Sequence, residues 1–149
     1  MEQNSLTLLI SIVLAAVGIL FTIIGVATPG WAGASSTGKV QLFRCGSPCP
    51  LNYTAAGVLL LIAILFLVIA IVFTLMFWRG MISNSSDIIK NIVLFLFLLA
   101  AIFITVAYSR AMPSGLYSYH IAVTAGNLVF LSALAFTYWL GRTSVTYVH

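Results

Sequence analysis

Long apolar runs alternate with short polar segments, and four of the runs reach or approach the length of a bilayer crossing: Leu6–Thr28, Ala55–Trp78, Asn91–Tyr108 and Tyr119–Leu140. A helix needs about 20 mostly apolar residues to cross a hydrocarbon core of about 30 Å. The third run is the shortest, and it extends to Ile88 if Lys90 snorkels toward the headgroups. The runs are rich in Leu and β-branched residues without strict alternation, which excludes a transmembrane β-barrel. The pattern predicts an all-α membrane protein, a single four-helix tetraspan domain over residues 1–149.

The ends of the runs carry their own marks. Pro29-Gly30 stops the first, and Trp31 just beyond suits a membrane interface. Trp78-Arg79-Gly80 closes the second, and Ser86 and Asp87 are placed to cap the third helix. Pro113 and Gly115 break the chain before the fourth, where Tyr108, Tyr117 and Tyr119 form an aromatic rim. Tyr138 and Trp139 anchor its far end. Ala32-Gly33-Ala34 has the small-residue form of a signal-peptidase site. The segment ahead of it, however, lacks Lys and Arg, contains Glu2 and has an apolar run longer than signal peptides use. Four retained spans are therefore expected.

Composition narrows the function classes. Of 149 residues, 62% are hydrophobic and 5% charged, with a mean hydropathy of +1.20. That is too little charge for a soluble domain, which carries about 25%. The net charge of +4 comes from six scattered cations with no basic face, so no nucleic-acid partner is expected. Every charged residue (Glu2, Lys39, Arg44, Arg79, Asp87, Lys90, Arg110 and Arg142) lies outside the four runs. Pumps and coupled transporters keep ionisable groups within the membrane. Membrane glutathione transferases use arginine-rich helices for their cofactor, and these runs have neither feature. With two acidic residues in all there is no carboxylate pair for acid–base work. Neither an enzyme, a cofactor nor a metal site is expected.

Four spans put both termini on one side, and the cations divide three against three between the two sides, so charge does not orient the chain. Cys45 and Cys49, in Cys-Gly-Ser-Pro-Cys, decide it. A disulfide there places the first loop outside, as in plasma-membrane proteins, and both termini in the cytosol. Zinc would need two further ligands, and the only histidines are His120 and His149. A redox pair would favour two-residue spacing and a second cysteine pair. A structural staple is preferred, with a catalytic thiol pair and free thiols as the alternatives. Asn52-Tyr53-Thr54 is a glycosylation sequon close to the membrane surface, where occupancy is expected to be poor; Asn84-Ser85-Ser86 falls on the cytosolic side.

Polar and small residues within the runs read as packing elements. Ala122 and Gly126 are a small-xxx-small pair that lets another helix approach, and Asn127 beside them is able to hydrogen-bond across. Packing inside the bundle is the ordinary reading; a partner's helix against Asn127 is the sharper one. Ser11 with Ala15, and Gly18 with Thr22, give the first run two close-packing faces. His120 reads as an interfacial side chain.

The arrangement resembles the claudin superfamily, which includes peripheral myelin protein, the epithelial membrane proteins and the γ subunits of calcium and glutamate channels. The family's first loop has a Trp soon after the first span, then Gly-Leu-Trp, then two cysteines. This chain has Pro29-Gly30-Trp31, then Gln41-Leu42-Phe43 followed by Arg44, then Cys45 and Cys49. Tyr117-Ser118-Tyr119-His120-Ile121-Ala122 and Tyr138-Trp139-Leu140-Gly141-Arg142 are similar to the myelin and epithelial branch. Gln41 and Phe43 replace Gly and Trp, Cys45 comes one residue early, and the loop Pro29–Thr54 is about half the usual claudin length. Tyr147-Val148-His149 adds one residue to the claudin Tyr-Val ending, which a PDZ groove would reject.

The resemblance implies a left-handed bundle carrying a small extracellular β-sheet, with Val40–Arg44 as a strand leading to a Cys45–Cys49 disulfide. Trp31 and Phe43 would pack that sheet onto the bundle. It also implies a non-enzymatic protein acting by lateral and extracellular contact. The first expectation is an accessory subunit of a larger channel or receptor in the lipid bilayer. The alternatives are a junction or adhesion protein, a self-associating MARVEL-type organiser of membranes, and a thiol oxidoreductase using Cys45 and Cys49. Were the loop to line a paracellular path, Lys39 and Arg44 would favour anions.

Overall fold

The computed structural model describes the backbone of residues 2–28, 51–82, 87–110 and 117–145, and side chains within 6–28, 54–82, 87–110 and 117–143. Four helices make up nearly all of it: α1 (Glu2–Ala27), α2 (Leu51–Trp78), α3 (Asp87–Arg110) and α4 (Tyr117–Val145). Each contains a segment long and apolar enough to cross a membrane: Leu6–Ala27, Thr54–Trp78, Asp87–Arg110 and Tyr117–Thr143. The described residues form an all-α, multi-pass four-helix bundle.

The helices stand around a square in chain order. The α1/α4 seam is the most extensive, followed by α2/α3 and α3/α4, with α1/α2 the slightest. Side-chain pairings fix the directions. Ser11 meets Ser132 and Thr28 meets Ser118, so α1 and α4 run antiparallel. Tyr108 meets Tyr119 and Phe97 meets Phe136, so α3 and α4 do too. Phe77 meets Trp139, which puts the C-terminal ends of α2 and α4 together. The bundle is up-down-up-down.

Each helix turns one narrow stripe inward, and the stripe repeats every seven residues. In α1 it runs Leu8, Ser11, Ala15, Gly18, Thr22, Gly25. In α4 it runs Ser118, Ala122, Ala125, Val129, Ser132, Phe136, Trp139, Thr143. Ala56, Leu60, Ala63, Leu67, Ala70, Thr74, Phe77 and Lys90, Val93, Phe97, Ala100, Ile104, Ala107 repeat the step in α2 and α3. Alternating steps of three and four give a 3.5-residue period, the period of left-handed supercoiled bundles. Small residues dominate the stripes, while Leu65, Ile88, Phe95, Ile102 and Phe130 face outward. Lipid is as apolar as a protein core, so size and not polarity sorts inside from outside: small side chains let backbones approach and gain dispersion contact.

Two details depart from the sequence expectation. The third helix is not marginal, because it starts at Asp87 and takes Lys90 into its first turns. Lys90 is 3% exposed, its stem turned into the bundle and its ammonium reaching back to the helix start, 3.2 Å from the exposed Asp87 Oδ1 and 6.0 Å from the centre of the Trp139 ring. Trp139 correspondingly is no surface anchor. It is 2% exposed, wedged against Phe77 and Phe136 with ring centres 5.7 and 5.4 Å away. The aliphatic stem of Lys90 and three aromatic rings together fill that end of the bundle. Tyr138 takes the outer position beside it, stacked under Arg142.

The stop at Gly80 is a Schellman turn. Gly80 has φ +68°, the Met81 amide donates to the Met76 carbonyl, and the Gly80 amide donates to the Phe77 carbonyl.

Val40–Arg44, expected as a strand, lies outside the described residues, as do Trp31, Leu42, Phe43, Cys45, Cys49 and Ser86. No strand occurs among the described residues.

Candidate functional site

The candidate residues divide between a closed interior and one outward groove. Inside, hydroxyl groups tie α1 to α4. The Ser11 hydroxyl donates to the Ser132 carbonyl at 3.0 Å, and the Ser132 hydroxyl donates back to the Ser11 carbonyl at 2.8 Å. Both residues are fully buried. Toward the tyrosine rim, Thr28 donates to the Ile24 carbonyl at 2.6 Å, which leaves Ser118 to donate to Thr28 Oγ1 at 2.8 Å. Between these two ties the backbones close up, and a Cβ on Gly18 would stand 2.8 Å from Val129 Cγ2.

The other hydroxyls of the membrane interior bond back to their own helices. Thr22 donates to Gly18, Thr74 to Ala70, Thr105 to Ala101, Thr124 to His120 and Thr137 to Ala133, each at 2.7–2.9 Å. Thr143 reaches the Trp139 and Leu140 carbonyls. With no water at that depth, a hydroxyl turned inward like Thr22 or outward like Thr105 must find an acceptor, and the carbonyl four residues earlier is the nearest one.

Ala122 and Gly126, expected as a small-xxx-small pair with Asn127 beside it, turn to different neighbours. Ala122 faces α1, its Cβ 3.8 Å from where a Gly25 Cβ would lie. Gly126 faces α3, with Ile104 Cγ2 3.3 Å and Tyr108 Cε1 3.4 Å from where its own Cβ would lie. Asn127 is exposed. It lines a groove of about 540 Å³ between α3 and α4, walled by Leu98, Ile102, Val106 and Phe130 with Ala101 and Gly126 at its base. Each residue turns the helix by about 100°, so Gly126 is buried against α3 at the base of the groove while Asn127 stands at its open side. Ala122 and Gly126 are thus buried within the bundle, and Asn127 is turned to its outside.

The groove is apolar apart from Asn127 and Thr105, and Thr105 is satisfied by Ala101. No group of three or more His, Cys, Asp or Glu gathers among the described residues. What the arrangement offers is a lateral surface for another helix or chain, with one amide to bond it. At the rim, Tyr119 packs edge-on between Tyr108 and His120, and His120 is exposed. Asn52 falls in the first turn of α2, its side chain outside the described residues.

Sequence reading missed Ser132 and the Lys90–Trp139 contact. The signal for Ser132 was its seven-residue spacing from Ala125 and Ser118, a run of small residues on one face.

The four-helix membrane bundle is the class of protein the fold defines. No family model matches the chain, and neither does any curated protein or solved structure.

Proposed function

We propose that this chain is a non-enzymatic, claudin-like tetraspan that serves as an accessory subunit of a larger membrane protein, such as a channel or receptor, in the plasma membrane. One observation carries this reading. The Ser11 and Ser132 hydroxyls tie α1 to α4 and the interior threonines bond their own helices, while a groove with an unbonded amide faces outward. A bundle that closes on itself and keeps its chemistry on its flank is built for contact. In the same reading both termini are cytosolic, and a Cys45–Cys49 disulfide braces the outer loop, with Val40–Arg44 as a strand of a small sheet against which Trp31 and Phe43 pack. That loop is the extracellular contact, and the helix flanks are the lateral one.

The test is purification of the tagged full chain in mild detergent, with co-purifying proteins quantified by mass spectrometry. The expected result is one larger membrane protein at a fixed ratio to the chain. Recovery of the chain with no other membrane protein overturns the accessory role.

A further inference from the structure

Asn127 lies about 5 Å or less along the helix axis from the midpoint of Tyr117–Thr143, the spanning segment of α4. Its side chain therefore stands near the centre of the hydrocarbon. Every other polar side chain of that central region, among the described residues, has an acceptor: Ser11, Thr22, Thr74, Thr105, Thr124, Ser132 and Thr137 each make a hydrogen bond. Asn127 makes none within the bundle. An unbonded amide in hydrocarbon is costly, and no water is available there to relieve it.

We infer that the α3/α4 groove is the interface of a homodimer, in which Asn127 of one copy bonds Asn127 of the other. A second copy is the complementary occupant. A carboxamide carries both donors and an acceptor, so it satisfies an identical group with two reciprocal bonds, which a hydroxyl or a lipid chain does not do. Two copies inserted the same way are related by a two-fold axis along the membrane normal, which brings every residue to the depth of its counterpart. Asn127 thus meets Asn127 at the same height without any adjustment of tilt.

The groove's relief fits this use. Gly126 and Ala101 form its base, so an incoming helix approaches closely, while Phe130 and Ile102, 50% and 54% exposed, form its walls. The interface is isologous: the Phe130 wall of one copy lies against the α3 side of the other. This inference requires only that the chain spans a bilayer. It takes up the groove that the accessory reading draws on, so a dimer that buries Asn127 leaves a larger partner to meet the other helix flanks and the outer loop.

The test is single-molecule photobleaching of the full chain, labelled once through a C-terminal fluorescent fusion, in phosphatidylcholine vesicles over a range of protein-to-lipid ratios. Two-step bleaching is expected to rise with density. Asn127→Leu should raise the density at half-dimerisation about tenfold, the loss of two interhelical hydrogen bonds. Asn127→Gln, which keeps the amide, should recover part of that. Leu61→Ala, on the outer side of α2, should change nothing. Circular dichroism of the Asn127→Leu chain should match the wild type, because the side chain lies outside the bundle. Single-step bleaching at every density would assign the groove to lipid or to another protein's helix. That result, or dimerisation unaffected by Asn127→Leu, overturns the inference.

Discussion

Ser11 and Ser132 exchange hydrogen bonds across the centre of the bundle, each hydroxyl donating to the other residue's backbone carbonyl, at 3.0 and 2.8 Å. The exchange is possible only where two helices approach closely enough for a side chain of two heavy atoms to reach a main-chain oxygen. It therefore reports the same close approach that Gly18 permits one seven-residue repeat further on.

Removing either hydroxyl removes one bond and leaves the other. Ser11→Ala and Ser132→Ala should each lower bundle stability by about 0.6–1.7 kcal/mol, the range measured for interhelical bonds in membranes. A double-mutant cycle in detergent unfolding checks this. Unchanged stability in both single variants would mean the seam is held by packing alone.

The glycines of α1 should differ sharply. Gly18→Ala places a methyl 2.8 Å from Val129 Cγ2, on a β-branched side chain with little freedom to move, and should cost about 1–3 kcal/mol. Gly25→Ala meets atoms only at 3.7–3.8 Å, an ordinary contact, and should fall within about 0.5 kcal/mol of the wild type. Thermal unfolding of the two variants side by side checks the order, and equal losses would place the close approach elsewhere.

At the other end, the Trp139 indole holds the ends of α2, α3 and α4 together. Trp139→Ala should cost about 3–5 kcal/mol, because it leaves a cavity beside Phe77 and Phe136. Lys90→Met keeps the buried stem and removes a charge whose partner, Asp87, is 84% exposed. It should be neutral or slightly stabilising. Lys90→Met as damaging as Trp139→Ala would show that the charge, and not the stem, matters.

The cysteines give a prediction from sequence. If Cys45 and Cys49 are a staple, a maleimide reagent leaves both unmodified in the native chain and takes both after reduction, and Cys49→Ser loses surface expression. Ready modification without reduction would point to free thiols.

The number of helices was legible because a bilayer sets a length, and Leu6–Thr28 and Ala55–Trp78 meet it outright. The stop at Trp78-Arg79-Gly80 was legible because a glycine in the left-handed region is a common way to end a helix. Which face turns inward was not legible from polarity, since Leu61 toward lipid and Leu60 toward the core are equally apolar. Ser11 with Ala15 and Gly18 with Thr22 read as separate pairs until their three-and-four spacing joined them to Gly25 in one stripe. Trp139 read as an interfacial anchor because tryptophan favours that zone, and nothing in its neighbours announced that Lys90, on another helix, would lie over it. Asn127 was legible as a chemical anomaly; that Gly126 would floor the groove it lines while Ala122 turns to α1 depended on the helix rotation, which the sequence does not show.

On this account the Ser11–Ser132 exchange holds the bundle together, while Asn127 on its flank serves association. The most direct measurement compares Ser132→Leu with Asn127→Leu, reading thermal unfolding and lateral association of each full chain in vesicles. Ser132→Leu should unfold at a markedly lower temperature, because a leucine has no space between α1 and α4. Asn127→Leu should unfold like the wild type and associate about tenfold more weakly. The reverse outcome, a tolerated Ser132→Leu with an unfolded Asn127→Leu, would contradict the account.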